Sequence, residues 1–312
     1  MTASSPPASD SSTLAQQPVC VMVFNANDPS GAGGLTADIS TLTAVGCHPC
    51  AVLTGAYARD TRNIFDHFSL DDEAVLEQAR AVLEDVPIRL IKVGFVGSPE
   101  NISTIAALAA DYAEVPLVCY LPDLSWWQES DIDSYLDALR ELLLPQTSVL
   151  VGNHNTLWRW LLPDWEGEHS PSACDIAAAA ARMGTPFTLV TGMSQPQQML
   201  ENVLASPDAV LGRGAFELFD GTFIGAGDTL SAALAGLLAT GSDLGQACGE
   251  ALSFLDQCLE NGFCPGMGHV VPDRLFWVVT DDAATPTDAE SDDGTDSHSV
   301  DGFVFPSHDT QH

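Results

Sequence analysis

Along most of this chain, short wholly apolar runs alternate with longer alanine-rich stretches whose polar residues recur at helical spacing. The runs predict strands at Val21–Phe24, Ala51–Thr54, Leu90–Val93, Leu117–Tyr120, Ser148–Val151 and Phe187–Val190. The stretches between and after them predict helices at Leu35–Val45, Asp72–Leu83, Ser103–Tyr112, Ile132–Leu143, Ser172–Met183, Thr229–Thr240 and Leu244–Glu260. Strands that are apolar on every residue, rather than on every second one, are those covered on both faces. A repeated strand-then-helix order therefore predicts an α/β fold of three α/β/α layers around a mostly parallel, doubly wound sheet. Near the last third, Leu211–Phe216 followed by Glu217–Phe223, with Gly221 among polar and apolar neighbours, reads as an antiparallel hairpin. No fixed-period repeat is present.

The two ends interrupt this pattern. Residues 1–18 are mostly Ser, Thr, Pro and Ala with one acid, Asp10, and residues 281–312 hold nine Asp/Glu and no Lys or Arg. Both read as disordered tails around a single domain at 19–280; Phe303-Val304-Phe305 is the one apolar patch of the second. The start lacks basic residues followed by an apolar stretch, and no run approaches the roughly 18 residues needed to span a bilayer, so a cytoplasmic protein with no membrane partner is expected.

Charge narrows the partners further. The 312 residues carry 43 acids against 10 bases, a net −33, with Lys92 the single lysine and the arginines scattered. That field repels nucleic acid, and it requires any phosphate to be held by backbone amides, helix dipoles and bound cations rather than by a basic cradle. Among eight cysteines, Cys47-His48-Pro49-Cys50 has the spacing of a redox pair or half a zinc site. No second pair follows, so a turn is the reading and no protein metal site is predicted. Trp126-Trp127 and Trp158-Arg159-Trp160 suit packing on the core or on a dimer interface, and a homodimer is the expected assembly.

Two small-residue turns carry the candidate chemistry. In Gly225-Ala226-Gly227-Asp228-Thr229-Leu230-Ser231 a glycine turn feeds an alanine-rich helix. Unpaired N–H groups at such a helix start make an anion hole, and a carboxylate at its mouth is placed to take a proton from a hydroxyl. The same residues also suit an ordinary helix N-cap. The second turn, Asn25-Ala26-Asn27-Asp28-Pro29-Ser30-Gly31-Ala32-Gly33-Gly34 and on to Asp38, follows a predicted strand and opens a helix. It has neither the spacing of the dinucleotide fingerprint nor the Gly-Lys-Ser/Thr ending of a P-loop.

Together, Asp28-Pro29-Ser30-Gly31-Ala32-Gly33-Gly34 through Asp38 and Gly225 through Leu234 resemble the hydroxymethylpyrimidine/phosphomethylpyrimidine kinases of thiamine biosynthesis, members of the ribokinase-like superfamily. The resemblance runs from about residue 20 to 277, through Val52-Leu53-Thr54-Gly55-Ala56, Ile91-Lys92-Val93-Gly94-Phe95, Leu143-Leu144-Pro145 and Gly266-Met267-Gly268-His269. It implies a ribokinase-like fold and an ATP- and Mg²⁺-dependent kinase that phosphorylates the hydroxymethyl group of 4-amino-5-hydroxymethyl-2-methylpyrimidine and then its monophosphate. Carried over by position, Gly225, Ala226 and Gly227 form the anion hole and Asp228 is the base, where the pyrimidine kinases commonly have Cys and the wider superfamily Asp. Asn25 and Asp38 belong to the substrate pocket; the family's pyrimidine-reading Gln falls at Arg59 and its pocket Met at Phe95. On the nucleotide side, Asn153 keeps the amide of an Asn-x-x-Glu element whose Glu falls at Thr156. A family Lys falls at Thr191, next to Gly192, and an Asp at a strand end falls at Tyr120. These departures leave two alternatives: a pyridoxal-type vitamin kinase, favoured by Asp228, and a non-catalytic pyrimidine or nucleotide sensor.

Overall fold

The computed structural model describes residues 17–278. The tails expected at 1–18 and 281–312, and the Phe303–Phe305 patch, lie outside these residues apart from 17 and 18.

One nine-stranded sheet organises the domain: β1 (Cys20–Asn27), β2 (His48–Arg59), β3 (Ile64–Ser69), β4 (Ile88–Val93), β5 (Leu117–Leu121), β6 (Val149–Asn153), β7 (Phe187–Gln195), β8 (Met199–Ala205) and β9 (Val210–Glu217). Their order is β3-β2-β1-β4-β5-β6-β7-β8-β9. The six strands from β2 to β7 in that order are parallel, while β3, β8 and β9 extend the sheet antiparallel at its two edges. Strand order reverses between β1 and β4, so the crevice beyond their carboxyl ends is where such sheets place a ligand.

Alternation along β1 shows why the sheet needs helices on both sides. Met22 and Phe24 enter a core shared with α2 (Asp72–Leu83), α3 (Pro99–Asp111), α4 (Glu129–Ala138), α5 (His154–Leu161) and α6 (Ala173–Arg182). Val21 and Val23 enter a second core shared with α1 (Gly34–Ala44), α7 (Ala226–Ala239) and α8 (Leu244–Glu260). Each fully buried Val, Leu or Phe is worth about 1.5–3 kcal/mol, which locks the strands' register. Local signals start the helices: Asp71, Ser98 and Asp243 accept N-cap hydrogen bonds, and Ser172 with Asp175 closes a capping box. A short π-helical turn at Leu139–Leu143 continues α4 along the stretch predicted as one helix.

The expected hairpin is corrected. Leu211–Phe216 lies in a strand, β9, but its partner is the preceding β8; Glu217 ends β9 and the residues from 218 to 223 form no strand of their own. The β7–β8 turn holds Gln197 (φ 65°) and Gln198 (φ 56°) in the left-handed region, where Gly or Asn is the usual occupant, so the sequence carried no turn signal there. No described helix is long and apolar enough to cross a membrane.

Candidate active site

The two glycine turns meet at the carboxyl edge of the sheet. After β1, Asp28 closes its loop on itself: one oxygen accepts from Ser30 N–H (2.8 Å) and Ser30 Oγ (2.6 Å), the other from Gly33 N–H (2.8 Å). α7 begins at Gly225, whose φ of 79° suits glycine and whose α-carbon lies so close to the Ala32 carbonyl that a β-carbon would overlap it. Thr229 N–H is the first in α7 to find an intrahelical carbonyl, that of Gly225 at 3.0 Å, which leaves the amides of Ala226, Gly227 and Asp228 at the open end of the helix. Arg274, almost fully buried, clamps both turns: Nε donates to Thr229 Oγ1 (2.9 Å), Nη1 to Gly31 O (3.2 Å) and Nη2 to Ala32 O.

Behind this junction lies a buried charge network. Lys92, near the end of β4, is wholly buried and reaches Asp38 Oδ1 at 2.7 Å and Asp228 Oδ1 at 3.1 Å. Asn25, near the end of β1, donates its amide to Asp38 Oδ2 (2.8 Å) and Asp228 Oδ1 (2.9 Å), while its Oδ1 accepts from Ala26 and Phe95 N–H. Gly34 N–H donates to Asp228 Oδ2 at 2.9 Å, tying the first turn to the carboxylate of the second. The single lysine of the chain thus neutralises one of two facing carboxylates and leaves the pair with one net negative charge.

The two acids respond differently. Burial pushes Asp38 up to about 6, assisted by the Asp228 charge and only partly countered by Lys92. Burial also raises Asp228, but Lys92, Gly34 N–H and Asn25 outweigh it and hold this carboxyl below its ordinary value. Opposite pH signs follow. The Asp38 contribution to stability is fully present below its unfolded value of 3.8 and is lost as pH rises through about 6; that of Asp228 is present above 3.8 and lost as pH falls. For catalysis Asp38 must be ionised to hold Lys92 and Asn25, so kcat/KM is expected to fall below pH about 6 although Asp228 stays ionised there. Asp38→Asn, which mimics the protonated form, should give a lower activity without that limb in a pH–rate profile.

The other sequence candidates fall into two groups. Asn25 and Asp38 are buried with their polar atoms engaged by Lys92, Asp228 and each other rather than turned to an open cleft. Phe95 is likewise buried, stacked on Tyr57 (5.6 Å between centroids) and edge-on to Trp126, Trp127 and His67, which also places Trp126-Trp127 on this aromatic core. Arg59, at the end of β2, pairs with Asp28 at 3.3 Å and borders a cavity of about 560 Å³ with Ser30, Arg62 and the Gly266–Gly268 turn. Thr191 and Gly192 line a separate, mostly apolar cavity of about 190 Å³ between β8, β9 and α8, which reaches Ala226 at the start of α7. Asn153 stands beside it as the N-cap of α5, accepting from Asn155 N–H at 3.0 Å, and Thr156 is buried.

Residues 28–273 match the sequence model of the family described as phosphomethylpyrimidine kinase. The chain belongs to the phosphomethylpyrimidine kinase family. A hydroxymethylpyrimidine/phosphomethylpyrimidine kinase of Mycobacterium leprae is 28% identical over 272 residues, covering 83% of this chain and 95% of that one. In fold, the chain is similar to Bacillus subtilis pyridoxal kinase, solved as an ADP complex (TM-score 0.75, 20% identity, 84% of this chain and 100% of that one). It is also similar to phosphomethylpyrimidine kinase from Clostridium difficile 630 (TM-score 0.62, 22% identity, 76% and 97%). The kinase fold is therefore ribokinase-like, as the glycine turns implied.

Three groups of this kinase's network were not singled out by sequence reasoning as site residues. Lys92 was marked only by being the single lysine inside an apolar strand run, which is itself a signal, since an unpaired lysine does not survive there. Arg274 had none: it reaches the turns from a segment with no motif. Asp28 was visible only as part of a turn.

Proposed function

We propose that this kinase transfers the γ-phosphoryl group of ATP to the hydroxymethyl group of 4-amino-5-hydroxymethyl-2-methylpyrimidine and then phosphorylates the resulting monophosphate. The observation that carries this reading is the position of Asp228: an ionised carboxylate at the open amides of α7, held there by Lys92, Asn25 and Gly34 N–H. Asp228 takes the hydroxymethyl proton while the amides of Ala226, Gly227 and Asp228 stabilise charge on the phosphoryl oxygens. A phosphate donor chain reaching those amides from the 190 Å³ cavity accounts for Thr191, Gly192 and Asn153 as the nucleotide side. Solution of the B. subtilis pyridoxal kinase as an ADP complex supports nucleotide use by this fold.

The donor set does not fit a protein-held Mg²⁺. Among the described residues no three His, Cys, Asp or Glu side chains are grouped to share a metal, Asp28 is saturated by the bonds above, Asp228 keeps a free acceptor position on Oδ2 alone, and Thr156 and Tyr120 stand where the family has acids. Mg²⁺ then arrives as the counter-ion of the nucleotide, and the reaction's proton and charge handling fall to the residues named. A homodimer in the cytoplasm completes the reading; edge strand β3 offers Phe65 and Phe68, 67% and 62% exposed, as an apolar surface for a second copy. Sedimentation equilibrium reads that assembly directly.

The deciding experiment offers Mg·ATP with the aminopyrimidine alcohol, its monophosphate and pyridoxal. Transfer to the first two, at kcat/KM at least about tenfold above pyridoxal, is the expected result. A preference for pyridoxal would move the chain to the vitamin-kinase alternative that Asp228 also suits. Pyrimidine binding with no transfer to any of the three would leave a sensor.

A further inference from the structure

One polar group at the mouth of the amide turn is not used by the network around Asp228. Tyr120, near the carboxyl end of β5, lays the edge of its ring over Gly227 so closely that a β-carbon at 227 would overlap its hydroxyl. Glycine at 227 is therefore what admits the phenol to the first turn of α7. Lys92 Nζ lies 5.7 Å from the centre of the same ring, on the side of the buried carboxylates. The neighbouring Tyr135 uses its hydroxyl to accept from Val96 N–H at 3.2 Å and is fixed in the core. The Tyr120 hydroxyl has no hydrogen-bond partner among the described residues: what acts on it is burial first, then the charges of Asp228, Asp123 and Asp38, all of which keep it protonated far above the usual range. A free, permanently protonated donor thus stands beside the three open amides of α7.

We propose that Tyr120 is a catalytic residue whose hydroxyl donates a hydrogen bond to a non-bridging oxygen of the phosphoryl group under transfer. The proposal rests on the kinase reading above. In the step, the substrate hydroxymethyl oxygen bonds to the γ-phosphorus, the bond from that phosphorus to the β,γ-bridging oxygen breaks with its electron pair leaving on ADP, and the hydroxymethyl proton passes to Asp228. Tyr120 keeps its proton throughout. A neutral donor suits this position: the only lysine is consumed by Asp38 and Asp228, and a carboxylate at 120 would put a third negative charge beside them. A preorganised hydroxyl meets developing charge without adding to that burden.

Tyr120→Phe keeps the ring over Gly227 and removes only the donor. The expected result is a kcat lower by about 10², a pyrimidine KM within about threefold of the parent's and an unchanged thermal midpoint. Calorimetry with inorganic tripolyphosphate should show binding several-fold weaker to the variant than to the parent. A ring-fluorinated tyrosine at 120, whose phenol ionises at lower pH, should introduce an alkaline loss of activity that the parent does not show, which a packing role would not do. Turnover of Tyr120→Phe within twofold of the parent would overturn the proposal, as would a gain in turnover or tripolyphosphate affinity in Tyr120→Ala, which would make the ring a plug. No transfer by the parent, with the tripolyphosphate difference intact, would sink the kinase reading while supporting the hydroxyl as the anion's donor.

Discussion

Replacing Asp228 with Asn lowers phosphate transfer by at least about 10² while leaving the fold in place. The amide keeps the shape of the side chain and one oxygen to accept from Gly34 N–H, so the junction of the two glycine turns survives. What it loses is the proton acceptor and the negative charge that answers Lys92. Single-turnover kinetics are the measurement, because they read the chemical step apart from product release. Binding of the aminopyrimidine alcohol should change little, since the carboxylate acts on the hydroxyl proton. A variant within a few-fold of the parent would remove Asp228 from the role of base.

Lys92→Met has the larger consequence for stability. It leaves Asp38 and Asp228 facing one another through Asn25 in a buried site with no cation. Breaking a buried ion pair from one side costs about 3–5 kcal/mol, because the remaining charge is stranded rather than removed. The protein meets part of that cost by protonation, so Asp38, already at about 6, should hold its proton to higher pH and Asp228 should lose the cation that keeps it low. Denaturant unfolding at pH 8 should therefore show a greater loss than at pH 5. The double variant Lys92→Met with Asp38→Asn removes charge from both sides and should recover much of the stability without recovering turnover. Equal instability of the single and double variants would mean that the lysine stem, not its charge, is what the core requires.

The sequence made the middle of the sheet legible for a physical reason. Strands buried on both faces must be apolar at every residue, so β1, β4, β5, β6 and β7 stood out as runs that polar turns interrupt. The edges did not. β3 exposes Phe65 and Phe68 and has no strict alternation, and β8 follows a turn whose left-handed residues are two glutamines. α5 is only eight residues long and was not among the predicted helices. The glycine turns were legible because a backbone that must approach another backbone, as Gly225 does Ala32, tolerates almost nothing else. The roles of Asn25 and Asp38 were not: spacing along the chain says that a polar residue ends a strand, but not whether its atoms face a ligand or a neighbouring carboxylate. That distinction depends on Lys92 and Asp228, which no local pattern brings to Asn25.

Arg274 has a bearing on the order in which this protein assembles during synthesis. It joins the Gly31–Ala32 turn from near the start to the Thr229 turn, and it lies after every strand and helix of the described residues. Domains assemble as the ribosome delivers them, so the parallel strands and their covering helices emerge well before this guanidinium does. Until it arrives, the carbonyls of Gly31 and Ala32 and the hydroxyl of Thr229 lack the cation that draws them together, and the two loops have nothing but their own contacts to set the gap between them. A nascent chain therefore has its scaffold before it has the guanidinium clamp that joins its two glycine turns.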